Sequence, residues 1–70
     1  MTSKSLKAIA ARLRQTRQDK GLTQEDVATK AGLSTNYYAR IERAEVTPSV
    51  DTLEKLVKAL KIKSSDILPF

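Results

Sequence analysis

Apolar residues recur at helical spacing in two long stretches of the chain. The first stripe consists of Leu6, Ile9, Ala10 and Leu13. The second and more regular stripe consists of Val50, Leu53, Leu56, Val57 and Leu60. Intervals of three and four residues are typical of amphipathic helices. They predict one helix over about residues 5–19, which Gly21 ends, and another that begins after the N-cap Ser49.

The segment between these stripes predicts two short helices joined by a tight turn. Thr23 is a favourable N-cap, and Asp26 stands where its carboxylate completes a capping box. Gly32 supplies the left-handed residue that commonly ends a helix, and Ser34 caps the next one. The two predicted helices cover about residues 24–31 and 35–43.

Helix, glycine-containing turn and helix form the helix-turn-helix motif, whose second helix enters the major groove of DNA. After the loop that ends at Pro48 and the fourth helix, a last short helix is predicted from a cap at Ser64 or Ser65. No convincing strand pattern is present. The sequence therefore predicts one all-α domain over residues 1–70, with five helices.

Composition disfavours several classes of function. A chain of 70 residues forms a small core, and such a core offers too few residues to line a catalytic pocket. The chain has no cysteine and no histidine, so the commonest metal ligands and general base are missing. We expect no enzyme activity, cofactor, metal or small-molecule ligand. Because neither a membrane-spanning run nor a signal-peptide core is present, we expect a cytoplasmic protein.

The net charge of +5 is confined to the N-terminal part of the chain. Residues 1–43 hold nine basic and four acidic side chains, whereas residues 44–70 hold four of each. A one-sided basic field favours a polyanionic partner, and double-stranded DNA fits the predicted motif. The basic residues of the fourth helix and its end are expected to form a solvated face. They are Lys55, Lys58, Lys61 and Lys63.

The pattern LTQEDVATKAGLSTNYYARIERAEVTPSVDTLEKLVKALKI resembles the Cro/C1-type helix-turn-helix domain of the XRE family, over about residues 8–68. The resemblance implies a compact lambda-repressor-like fold and sequence-specific DNA binding as a dimer, with repression or activation of promoters. Tyr37 and the run Ile41-Glu42-Arg43 are similar to controller proteins of restriction–modification systems. The chain departs from the family at Ala44, where glycine is common, and at Tyr38, where a smaller aliphatic residue is usual.

The predicted third helix supplies the residues expected to contact bases. They are Thr35, Asn36 and Arg40. Asparagine bonds an adenine edge, arginine pairs with guanine, and threonine bonds an edge or packs on a thymine methyl. The alternative for these side chains is a solvated helix face.

Phosphate contacts are expected from a second set. Its members are Thr23, Gln24, Tyr37, Arg43, Arg14 and Lys20. Gln24 opens a helix, where free backbone N–H groups favour a phosphate. The resemblance gives Gln24 the same role and adds that it braces the start of the third helix. Of the two tyrosines, Tyr37 is expected to face outward and Tyr38 to face the core, with its hydroxyl near the edge.

Two further expectations concern structure and assembly. The resemblance pairs Arg17 with Glu42 as a structural ion pair between the first and third helices. A homodimer that matches a palindromic operator is expected to use the fourth helix and the C-terminal segment. The apolar residues of that segment are Ile62, Ile67, Leu68 and Phe70. Phe70 covers either a partner subunit or the first helix.

Two other functions remain open at the level of sequence. One is an antitoxin or other interaction protein that mainly binds a protein partner, with DNA autoregulation secondary. The other is a membrane-surface module that uses the basic first helix, although its narrow apolar stripe is matched by other helices that need cover. We expect a DNA-binding transcriptional regulator.

Overall fold

The computed structural model describes residues 3–70, which form four α-helices and one 3-10 turn. The helices are α1 (Ser3–Asp19), α2 (Gln24–Ala31), α3 (Thr35–Glu42) and α4 (Val50–Leu60), and the 3-10 turn is Ser64–Asp66. The all-α prediction is confirmed, and no strand occurs within residues 3–70. The count of five helices is wrong, because the last predicted helix is a single 3-10 turn. Pro69 follows closely, and proline disfavours helical geometry in the residue before it.

The ends of α2 and the start of α3 are fixed by local hydrogen bonds, as predicted. The Asp26 N–H donates to Thr23 Oγ1 at 3.0 Å, and the Thr23 N–H donates to Asp26 Oδ2 at 2.9 Å. Gly32 ends α2 with φ 72°, and the Ser34 hydroxyl accepts from the Tyr37 N–H at 3.1 Å. The turn between the helices is therefore determined by residues adjacent to it in the chain.

The core lies where α2 packs against α3 and α4, and α1 packs against α3. Its fully buried large side chains are Ile9, Leu13, Val27, Tyr38, Ile41, Leu56, Leu60 and Ile67. Tyr38 faces the core as predicted, but its hydroxyl is buried rather than near the edge. None of the helices within residues 3–70 is long and apolar enough to span a bilayer.

The loop after α3 begins with a left-handed residue that is not glycine. Ala44 has φ 58°, its N–H donates to the Ile41 carbonyl at 3.0 Å, and the Glu45 N–H donates to the Arg40 carbonyl at 2.9 Å. This pair of bonds is a Schellman motif, which turns the chain back over the end of the helix. The position at which the chain departs from the family glycine is thus the one that needs positive φ.

Candidate nucleic-acid interface

One face of α3 presents a polar stripe to solvent. Asn36 and Arg40 are four residues apart on α3, and Arg43, the residue that caps the helix, follows three residues later, so the three side chains share one face. All three are exposed, and Thr35 is exposed beside them in the first turn. The stripe contains an amide and two guanidinium groups, which can bond base edges and phosphates.

Both arginines of this stripe contact Glu45. Arg43 Nε lies 2.6 Å from Glu45 Oε2, and its Nη2 donates to Oε1 at 3.3 Å. Arg40 Nε lies 3.6 Å from Glu45 Oε1. Hydrogen bonds from Arg43, and the charges of Arg43 and Arg40, hold the pKa of the Glu45 carboxyl below its ordinary value. Sequence reasoning missed Glu45, because only the left-handed geometry of Ala44 brings it back to the helix.

The same helix is anchored at its buried end by an ion pair. Arg17 Nε donates to Glu42 Oε2 at 2.6 Å and Arg17 Nη2 to Oε1 at 3.1 Å, with only 2% of the Glu42 side chain exposed. Gln24 Nε2 also donates to Glu42 Oε1 at 3.1 Å. Arg17 Nη1 donates to the Leu22 carbonyl at 2.9 Å, which fixes the α1–α2 turn. The cluster therefore joins α1, α2 and α3.

Burial and hydrogen bonding act on the pKa of Glu42 in opposite directions. Burial alone would raise that pKa, but the hydrogen bonds, above all those from Arg17, hold it below its ordinary value. Glu42 in turn raises the pKa of Arg17 through the same hydrogen bonds. Burial first, and the nearby Glu42 carboxylate second, raise the pKa of Tyr38. Among the described residues, the Tyr38 hydroxyl has no hydrogen-bond partner of standard geometry.

The residues expected to contact phosphate occupy different environments. Gln24 is half-buried and braces the end of α3 at Glu42, rather than the start of α3 as expected. Thr23 is exposed, but its hydroxyl oxygen caps α2. Tyr37 is half-buried and packs against the core, which corrects the expected outward orientation. Arg14 on α1 and Lys20 after it are exposed.

A second surface feature is an apolar groove between α4 and the C-terminal segment, with a volume of about 360 Å³. Its lining residues are Val50, Leu53, Glu54, Val57, Ser64, Ile67, Leu68 and Phe70. Val50 is 79% exposed and Phe70 is 83% exposed, so Phe70 does not fold back to cover α1. Ile67 is fully buried in the core, which corrects its assignment to an exposed dimer surface. Ile62 is half-buried against the core and does not line the groove.

The short α2–turn–α3 unit with an exposed polar face on α3 is the geometry of a DNA-binding helix-turn-helix. The sequence profile described as helix-turn-helix matches residues 13–67, most of the chain. The chain belongs to the XRE-type helix-turn-helix family. Its homologues in this family are transcriptional regulators, including controllers of restriction–modification systems.

Two of the similar proteins of comparable length are restriction–modification controllers. The structure of the controller protein C.AhdI from Aeromonas hydrophila matches with a TM-score of 0.87 and 35% identity, covering 90% of this chain and 96% of that one. The control protein C.BamHI from Bacillus amyloliquefaciens is 34% identical, over 100% of this chain and 88% of its own length.

Other relatives are longer than this chain. The immunity repressor protein of Bacillus phage phi105 is 42% identical over 86% of this chain, but the match spans only 42% of that protein. The regulator DdrOP3 of Deinococcus deserti is 37% identical, and the match spans 46% of its length. The chain therefore corresponds to less than half of these two regulators.

Proposed function

We propose that this protein is a sequence-specific DNA-binding transcriptional regulator that acts as a homodimer on a palindromic operator. The observation that supports this function best is the exposed stripe of Asn36, Arg40 and Arg43 on α3. The other side of α3 is fixed by Glu42, which is buried against Arg17. A rigidly held helix with an exposed bonding face is suited to the major groove.

The chemistry of the stripe assigns a role to each side chain. Arg40 pairs with guanine O6 and N7 once it leaves Glu45, Asn36 bonds an adenine edge, and Thr35 bonds an edge or packs on a thymine methyl. Each such contact discriminates against the wrong base by about 1–3 kcal/mol. These side chains give sequence preference.

Phosphate contacts surround this stripe and position it. The backbone N–H groups at the start of α2 near Gln24 favour a phosphate, because Thr23 and Asp26 leave part of the helix terminus free. Arg43, Tyr37, Arg14 and Lys20 add side-chain contacts to phosphates. Such contacts fix the orientation on the duplex without giving sequence preference.

The apolar groove supports the homodimer. Val50 and Phe70 are exposed apolar side chains at its rim, and Leu53, Val57 and Leu68 are only partly covered. A two-fold axis at this surface would pair the grooves and leave both copies of α3 free. The half-sites of a palindromic operator then lie about 34 Å apart, one turn of DNA.

Selection from a random duplex pool at about 150 mM salt tests the DNA-binding part, because non-specific phosphate attraction is already weakened there. We expect an enriched inverted repeat with one-turn spacing between half-sites. Binding without enrichment would contradict sequence-specific recognition and would favour a protein partner, as in an antitoxin.

Sedimentation equilibrium tests the homodimer. We expect the wild type to form a dimer with a lower dissociation constant than Val50→Glu or Phe70→Ala, because these substitutions remove apolar contacts at the groove rim. Thr47→Glu is the control, since Thr47 is exposed and does not line the groove. A monomeric wild type, or equal effects of Val50→Glu and Thr47→Glu, would refute this interface.

A further inference from the structure

Glu45 is an acidic residue at the end of a face that is otherwise neutral or basic. Its carboxylate accepts two hydrogen bonds from the Arg43 guanidinium and lies 3.6 Å from Arg40 Nε. About half of each of the three side chains is exposed, so water and ligands reach all of them. The two arginines that the proposed function assigns to DNA are thus both paired within the chain.

The backbone makes this arrangement possible. The left-handed Ala44 and the Glu45 N–H bond to the Arg40 carbonyl turn the chain back, so that Glu45 stands beside the last turn of α3. A carboxylate that binds a guanidinium through two oxygens has the geometry with which arginine also binds a phosphate. Glu45 therefore binds Arg43 with the two-oxygen geometry that a phosphate would also use.

We propose that Glu45 is a positioning residue that lowers non-specific DNA affinity by competing with phosphates for Arg40 and Arg43. This inference rests on the proposed function of α3. An exposed ion pair is weak enough to be exchanged, so a base edge of suitable geometry displaces Glu45 from Arg40. A non-specific duplex must displace the same carboxylate mainly for contacts to phosphates, without the gain from a matched set of base edges. Glu45 thus increases the ratio of specific to non-specific binding.

The test compares wild type with Glu45→Gln in binding to a random-sequence duplex, by fluorescence anisotropy at several salt concentrations. We expect Glu45→Gln to bind about two- to fivefold more tightly, the range that one exposed ion pair is worth. We also expect a steeper salt dependence, because each additional neutralised phosphate adds about 0.9 to the slope of log K against log salt. Asp51→Asn is the charge-matched control, since Asp51 is exposed on α4.

The double-mutant cycle separates competition for the arginines from a general change in charge. In an Arg40→Ala/Arg43→Ala background, we expect Glu45→Gln to change the affinity for the random duplex by no more than Asp51→Asn does. A gain that persists in that background, or a Glu45→Gln effect equal to that of Asp51→Asn in the wild type, would overturn the proposal. Thermal unfolding followed by circular dichroism shows that each variant is folded.

The design also separates this proposal from the proposed function. The random duplex requires only that the arginines meet phosphates, whereas sequence preference is measured by the selection described above. If the selection enriches an operator but Glu45→Gln gains no affinity for the random duplex that depends on the arginines, only the role of Glu45 is refuted. An arginine-dependent gain without any enriched sequence would refute only sequence-specific recognition.

Discussion

Replacement of Arg17 by methionine is expected to destabilise the fold strongly. The change removes the two hydrogen bonds from Arg17 to a Glu42 side chain that is only 2% exposed, and leaves the Gln24 amide as its remaining donor. The Leu22 carbonyl also loses its bond from Arg17 Nη1. Breaking one partner of a buried pair costs about 3–5 kcal/mol, because the other charge remains buried.

This loss is large for a chain of this size. Domains are stable by roughly 0.05–0.15 kcal/mol per residue, which gives about 4–10 kcal/mol for 70 residues. Urea unfolding followed by circular dichroism at 222 nm measures the free energy of unfolding. Arg14→Met is the matched control, since Arg14 is exposed on the same helix and its loss should change stability by less than about 0.5 kcal/mol.

Two further variants keep the test decisive if Arg17→Met does not fold. Arg17→Lys retains the charge without the two-pronged geometry of the guanidinium, so an intermediate loss is expected. Replacing both partners, as in Arg17→Met/Glu42→Leu, should recover much of the stability, because no buried charge is left unpaired. If Arg17→Met cost no more than Arg14→Met, the ion pair would not stabilise the contact between α1 and α3.

Three other predictions concern the fold. Ala44→Gly should stabilise the fold by about 0.5–1 kcal/mol, because Ala44 has φ 58°, which glycine adopts without strain. The control Ala11→Gly within α1 should destabilise it by about 1 kcal/mol. If both substitutions changed the free energy of unfolding in urea in the same direction, strain at Ala44 would be refuted. Tyr38→Phe should leave stability unchanged or raise it slightly, since its buried hydroxyl makes no hydrogen bond of standard geometry, and a loss above about 1 kcal/mol would show that the hydroxyl bonds the nearby Glu42 carboxylate. The folded pKa of Glu42 is depressed, so its stabilising effect is present above the ordinary carboxyl pKa of about 4.5 and is lost as pH falls through the lower folded value. The difference in unfolding free energy between wild type and Glu42→Gln should therefore shrink between pH 5 and more acid conditions, as urea titrations at each pH (roughly 2.5 to 6) would measure; a constant difference would contradict the depressed pKa.

The sequence predicts those parts of the fold that depend on neighbouring residues. The caps at Thr23 and Ser34 and the left-handed Gly32 involve bonds between residues at most a few positions apart, and all occur as predicted. The apolar spacing of α4 likewise predicts a helix, although it does not show that Val50 lies outside the core.

Contacts that depend on tertiary structure cannot be predicted from residues that are adjacent in the chain. Arg17 and Glu42 are 25 residues apart, and only the resemblance to a family indicated their pairing. The ion pairs between Glu45 and the two arginines depend on the left-handed conformation of Ala44, which the sequence does not predict for an alanine. The burial of the Tyr38 hydroxyl depends on how α1 and α2 pack against α3, which helical periodicity does not give.

Parallel selections with wild type and Arg40→Ala test whether α3 gives sequence preference through Arg40. Both proteins are incubated with the same random duplex pool at about 150 mM salt, and the enriched sequences are compared position by position. We expect an inverted repeat for wild type, and the loss of preference at one base pair in each half-site for Arg40→Ala. The same motif in both proteins, with only uniformly weaker binding by Arg40→Ala, would show that Arg40 contacts phosphate and would contradict base recognition by this residue.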